Sequence, residues 1–148
     1  MHKVFGIGLP RTGTTSLSVG LTELGYKTCH CVFSDCLYQM ADAFTDTPIY
    51  ANYGELDMRY PDSKFVYTDR DLKHREEVLF CFQGRENFLH IDVSDYQSWK
   101  KLCDFLDKKS EKDCFPIINQ KNNLADWHTY SHPNKMPSQR NLPPSPNF

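Results

Sequence analysis

Between residue 3 and about residue 118, short apolar segments alternate with segments of helical periodicity, and this alternation decides the fold class. Apolar runs at 3–9, 27–32, 48–52, 64–68 and 87–93 read as strands. Between them, residues 13–24 carry Leu17, Leu21 and Leu24 on one face and stop at Gly25. Ser34 stands as the cap of a helix running to about residue 44, residues 54–59 make one or two turns, and residues 72–82 place Val78, Leu79 and Phe82 on one side. Ser94, with Gln97 three residues on, forms a capping-box pattern ahead of a helix that buries Trp99, Leu102, Phe105 and Leu106. Strands separated by helices require right-handed crossovers and a parallel sheet. The expected fold is therefore α/β: a three-layer sandwich around a parallel sheet of roughly five strands.

A chain of 148 residues can bury roughly two thirds of its unfolded surface, enough for one core. That core is assigned to residues 1–121. Residues 122–148 differ in composition: five of the nine prolines fall in the last sixteen positions, amid Asn and Ser, so a tail that wraps the domain or stays mobile is expected. A net charge of −2 and a pI near 6.3 argue against a nucleic-acid partner, so any anion must be held by a few placed groups. No apolar run reaches the ~20 residues of a membrane span. The first apolar run lacks a cleavage signal, so a cytoplasmic setting with reduced thiols is expected for the six cysteines. Cys29, Cys31 and Cys36 flank His30, but strand alternation puts Cys29 and Cys31 on one face and His30 on the other. No metal is expected there, and the cysteines are read as small, mostly buried apolar groups.

The chemistry concentrates in Gly8-Leu9-Pro10-Arg11-Thr12-Gly13-Thr14-Thr15-Ser16, between the first strand and its helix. Gly8 and Gly13 have the spacing of the phosphate loop G-x-x-x-x-G-K-[ST], so the fold is expected to be of the P-loop, nucleotide-kinase-like type. Such a loop sets an anion on a helix amino terminus, where unpaired amides and the helix dipole favour negative charge. Thr14 stands where nucleoside triphosphatases keep the lysine that reaches the terminal phosphates, and Arg11 is the only cation in the loop. That pattern suits an anion bound without metal, with a cation beside the leaving atom.

The string from Gly8 to Leu17 after a first strand resembles the 5′-phosphosulfate loop of the sulfotransferases that use 3′-phosphoadenosine 5′-phosphosulfate (PAPS). The resemblance continues, in order, through Asp46-Thr47-Pro48, Glu55-Leu56-Asp57, the run from Tyr60 to Asp71, Ile91-Asp92-Val93-Ser94-Asp95, the run from Trp99 to Leu106 and Phe115-Pro116-Ile117-Ile118-Asn119. It implies transfer of a sulfuryl group from PAPS to a hydroxyl or amine of a small-molecule or glycan acceptor. Arg11, Thr12, Gly13, Thr14, Thr15 and Ser16 would hold the 5′-phosphate and sulfate, with Arg11 stabilising charge on the bridging oxygen. Arg70 matches the arginine that contacts the 3′-phosphate.

Two departures accompany the resemblance. Val78 stands where many members have a serine that shares the 3′-phosphate, with Lys73, His74 or Arg75 as substitutes. Only about sixteen residues separate Arg70 from the next strand, fewer than relatives use to shape the acceptor pocket. The acceptor site is then open, completed by a partner copy in a homo-oligomer, or lost. A general base needs His, Glu or Asp within reach of the acceptor. His30, at the end of the second strand on the carboxyl edge of the sheet, is the first candidate, and Asp46 the second. His90 and the aromatics Phe33, Tyr50 and Tyr53 are assigned to packing. Two alternatives stand beside the transferase: a non-catalytic nucleotide-binding module of the same descent, and a small ATP-dependent nucleotide kinase with Asp69 or Asp92 on magnesium.

Overall fold

Val4, Phe5 and Gly6 (β1) are wholly buried and form the centre of a five-stranded sheet whose pairings are all parallel. The structure, a computed structural model, describes residues 2–9, 12–69, 72–116, 127 and 129–136. The other strands are β2 (Thr28–His30), β3 (Ala43–Thr45), β4 (Lys64–Thr68) and β5 (Phe88–Ile91). The helices are α1 (Thr14–Glu23), α2 (Asp35–Met40), α3 (Tyr53–Arg59), α4 (Leu72–Cys81) and α5 (Ser98–Leu106). Strand order is β2-β3-β1-β4-β5, so the chain leaves β1 in one direction and later returns to its other side at β4. The loop after β1 therefore lies at the point where strand order reverses, which is where open α/β sheets bind ligands.

Side-chain alternation builds two cores. Phe5, Phe44 and Phe65 are register neighbours on three adjacent strands, with Phe5 stacked on Phe44 at 5.3 Å and on Phe65 at 5.5 Å. Leu37, Leu56, Val78 and Phe82, from α2, α3, α4 and its end, cover that face. Val4, Ala43 and Val66 point the other way, onto Leu17 and Leu21 of α1 and Trp99, Leu102 and Leu106 of α5. Gly25, at φ 98, ends α1: its N–H reaches the Thr22 carbonyl and the Tyr26 N–H the Leu21 carbonyl.

Three expectations are corrected. The third strand is Ala43–Thr45, and residues 48–52 are turns closed by Ile49 N–H on the Asp46 carbonyl and Ala51 N–H on the Pro48 carbonyl. Phe44 is needed between Phe5 and the β2 edge, so α2 stops at Met40 with Ala41 already extended. The Ser94–Gln97 capping box does not form: Ser94 N–H donates to Asp92 Oδ1, Gln97 N–H to Asp95 Oδ1, and α5 begins at Ser98. The short polar side chains hold local turns in place of a helix start. The expectation for the cysteines also changes, since all six are free but only Cys29 and Cys103 are buried.

Part of the proline-rich segment lies against β2. Thr28 N–H donates to the Asn134 carbonyl and Met136 N–H to the Thr28 carbonyl, both at 2.9 Å, and Trp127 is buried. Among the described residues no helix is long and apolar enough to cross a membrane.

The core has a consequence at high pH. Burial, with the neighbouring Cys31, pushes the Cys29 thiol up to about 12, and burial beside Tyr60 pushes the Tyr38 phenol up to about 12. Both groups ionise more readily in the unfolded chain, so their contribution to stability is complete below pH 9 and is lost as pH rises towards 12. Chemical denaturation followed by circular dichroism is expected to show a falling midpoint across that window; a flat midpoint would contradict the burial assigned to these side chains.

Candidate functional site

The loop after β1 is closed by contacts that tolerate no extra atoms. A Cβ on Gly8 would lie 2.0 Å from Thr68 Oγ1 and 2.6 Å from the Thr68 carbonyl oxygen, so β1 runs out directly against the end of β4. The Thr12 hydroxyl donates to the Leu9 carbonyl at 2.6 Å, leaving the Thr68 hydroxyl to donate to it at 2.9 Å. Gly13 precedes α1 at φ 91, in the left-handed region, and a Cβ there would lie 2.2 Å from Val93 Cγ2. No side chain caps the helix and its first turn holds no acidic residue, so the positive end of the helix dipole meets no carboxylate from its own turn. Thr12, Thr14 and Ser16 are buried and Thr15 is half-buried. Arg11 and Arg70 lie outside the described residues.

The two candidates for the base are brought together. β2 ends at His30 and β3 at Thr45, with these two residues in register, and the chain turns immediately after each through Cys31 and Asp46, both at φ 66. Asp46 thus follows directly on the end of β3. His30 Nε2 lies 3.1 Å from Asp46 Oδ2. Burial alone would raise the Asp46 carboxyl, but hydrogen bonds and charge from His30, with hydrogen bonds from Thr47, hold it below its ordinary value.

On its other side His30 Nδ1 lies 2.9 Å from Thr45 Oγ1 and 3.0 Å from Ser18 Oγ. Ser18 Oγ in turn lies 2.5 Å from Thr45 Oγ1 and donates to the Thr14 carbonyl at 2.8 Å. Two hydroxyls thus hold Nδ1, while Nε2 faces the Asp46 carboxylate. The chain of hydroxyls also ties His30 to the first turn of α1. The Trp127 ring packs 5.7 Å from the His30 ring. Nothing in the sequence placed Trp127 there, because a tryptophan in a proline-rich segment has no periodicity to read.

The remaining candidates have structural partners. His90 Nε2 lies 3.1 Å from Asp69 Oδ2, which also meets Arg75 at 3.4 Å. His74 Nε2 lies 3.1 Å from the Ile7 carbonyl oxygen, with edge contacts to Tyr53 and Tyr67. Val78 is fully buried in the core, and the Lys73 side chain lies outside the description. Phe33, expected to pack in the core, is 61% exposed. Leu9, Tyr50, Tyr53, His74 and Glu77 line a cleft of about 710 Å³ beside the loop.

A family model described as a sulfotransferase domain matches the chain in three overlapping segments, residues 3–36, 32–74 and 72–124. No curated protein matches the chain.

Proposed function

The chain belongs to the sulfotransferase-domain family, and on that premise we propose that it moves a sulfuryl group from PAPS to a hydroxyl or amine of a small-molecule or glycan acceptor, without a metal. The observation that carries this reading is the hydrogen-bonded path from Asp46 through His30 and Ser18 to the first turn of α1, which ties a proton acceptor to the loop.

In the proposed step the acceptor oxygen or nitrogen attacks sulfur in line, and the bond from sulfur to the bridging oxygen of the 5′-phosphate breaks. The acceptor proton passes to His30 Nε2, and the carboxylate of Asp46 stabilises the imidazolium formed. Arg11 stabilises charge on the departing bridging oxygen, since a guanidinium stays protonated at any working pH. The backbone from Thr12 to Ser16 cradles the 5′-phosphosulfate, and Arg70 reads the 3′-phosphate. The cleft beside Leu9 offers aromatic walls for the acceptor or the adenine. The free cysteines suit the reducing, cytoplasmic setting expected from the sequence.

Incubation with PAPS and a panel of acceptors, followed by mass analysis, tests the proposal. Sulfated product and 3′,5′-adenosine bisphosphate should form in equal amounts. Nucleotide binding with no product from any acceptor would favour the non-catalytic module. Arg11→Ala is expected to lower turnover by about 10²–10³-fold with an unchanged circular dichroism spectrum; unaltered turnover would remove Arg11 from the mechanism.

A further inference from the structure

We infer that His30 Nε2, Cys31 Sγ and Asp46 Oδ2 form a binding site for a divalent cation of the zinc class, and that its occupancy switches sulfuryl transfer off. The second half rests on His30 being the base.

Strand alternation separates Cys31 from His30 only if the strand continues through Cys31. In the fold β2 ends at His30, and the left-handed turn at Cys31 frees its thiol from that alternation. Asp46 makes the matching turn at the end of the adjacent strand. One donor atom from each of the three residues lies within 4.8 Å of the other two. The imidazole nitrogen and carboxylate oxygen, at 3.1 Å, are as far apart as two ligands of one ion bound at roughly 2.0–2.2 Å each.

The donor types select the ion. A nitrogen, a sulfur and an oxygen suit zinc and its neighbours, whereas magnesium and calcium take oxygen alone. The surroundings also suit it: a ligating histidine ordinarily donates its second N–H to a fixed acceptor, and Thr45 and Ser18 already hold Nδ1. Three protein ligands leave a fourth position for water. A cation on Nε2 takes the lone pair that would receive the acceptor proton, so a loaded site and a working base exclude one another.

Cobalt(II) added to the reduced full-length protein tests binding without reference to activity. One equivalent per chain should produce a sulfur-to-cobalt charge-transfer band that is lost in Cys31→Ser and in Cys31→Gly, and kept in Cys36→Ser. Glycine accepts the φ of 66 at this position, so Cys31→Gly stays informative if the serine variant folds poorly. A band of undiminished strength in both Cys31 variants would overturn the site. With PAPS and an acceptor, zinc should inhibit the natural protein, and Cys31→Gly should need at least tenfold more zinc for the same inhibition. Cobalt binding at Cys31 without inhibition by zinc would overturn the base assignment and leave the site standing. Transfer that depends on His30, with no charge-transfer band, would overturn the site and leave the base standing.

Discussion

Replacing His30 with alanine is expected to lower the turnover of sulfuryl transfer by about 10²–10⁴-fold, the range that general-base catalysis supplies. The affinity for 3′,5′-adenosine bisphosphate should change little, because the loop and not the imidazole is proposed to hold the nucleotide. The substitution also removes the Nδ1 partner of Thr45 and Ser18, which keep their contact with each other and the Ser18 hydrogen bond to the Thr14 carbonyl. Turnover therefore has to be measured on protein shown to be folded. Asp46→Asn should act in the same direction, since an amide cannot stabilise the imidazolium with a full charge. Natural turnover in folded His30→Ala would show that the acceptor loses its proton elsewhere.

Gly13→Ala should damage the loop through both its backbone and its packing. Two penalties combine: an L residue in the left-handed region costs roughly 1–2 kcal/mol, and a methyl group 2.2 Å from Val93 Cγ2 forces a shift costing roughly 1–3 kcal/mol. The first turn of α1 must move, and with it the amides proposed to face the anion. The expected result is a lower melting temperature together with at least tenfold weaker binding of 3′,5′-adenosine bisphosphate. Adding Val93→Ala should restore part of the stability, because it relieves the contact but not the backbone. Unchanged nucleotide affinity in Gly13→Ala would place the binding site outside this loop.

The legible part of the fold was the part written in long periods. Leu17, Leu21 and Leu24 announced α1, and the glycine after them closed it as its chemistry requires. The third strand was hidden because Ala43-Phe44-Thr45 is buried on both faces and continues the apolar spacing of the helix before it. Only the pairing of Phe44 with Phe5 and Cys29 selects the strand, and that information lies in distant parts of the chain. Ser94 and Gln97 had a helix-start pattern, yet Asp92 and Asp95 captured the nearby amides first.

The site divides in the same way. The loop could be read because two glycines, a cation and three hydroxyls are contiguous. His30 and Asp46 could each be named, but their pairing depends on β2 and β3 being neighbours in register, which no local pattern records. In the sequence Ser18 is one more residue of a helical segment, although its hydroxyl joins that helix to His30. Strand alternation places Cys31 opposite His30, but that alternation stops one residue before it.

The binding of the desulfated donor tests the central claim most directly. At a hundredfold excess over its dissociation constant, a ligand stabilises the folded state by about 2.7 kcal/mol, a shift of several degrees for a chain of this size. A thermal melt with 3′,5′-adenosine bisphosphate should show that upward shift, and one with ATP and magnesium should not. A shift with ATP and magnesium alone would contradict the account, since the loop would then serve a nucleoside triphosphate in place of the sulfated donor.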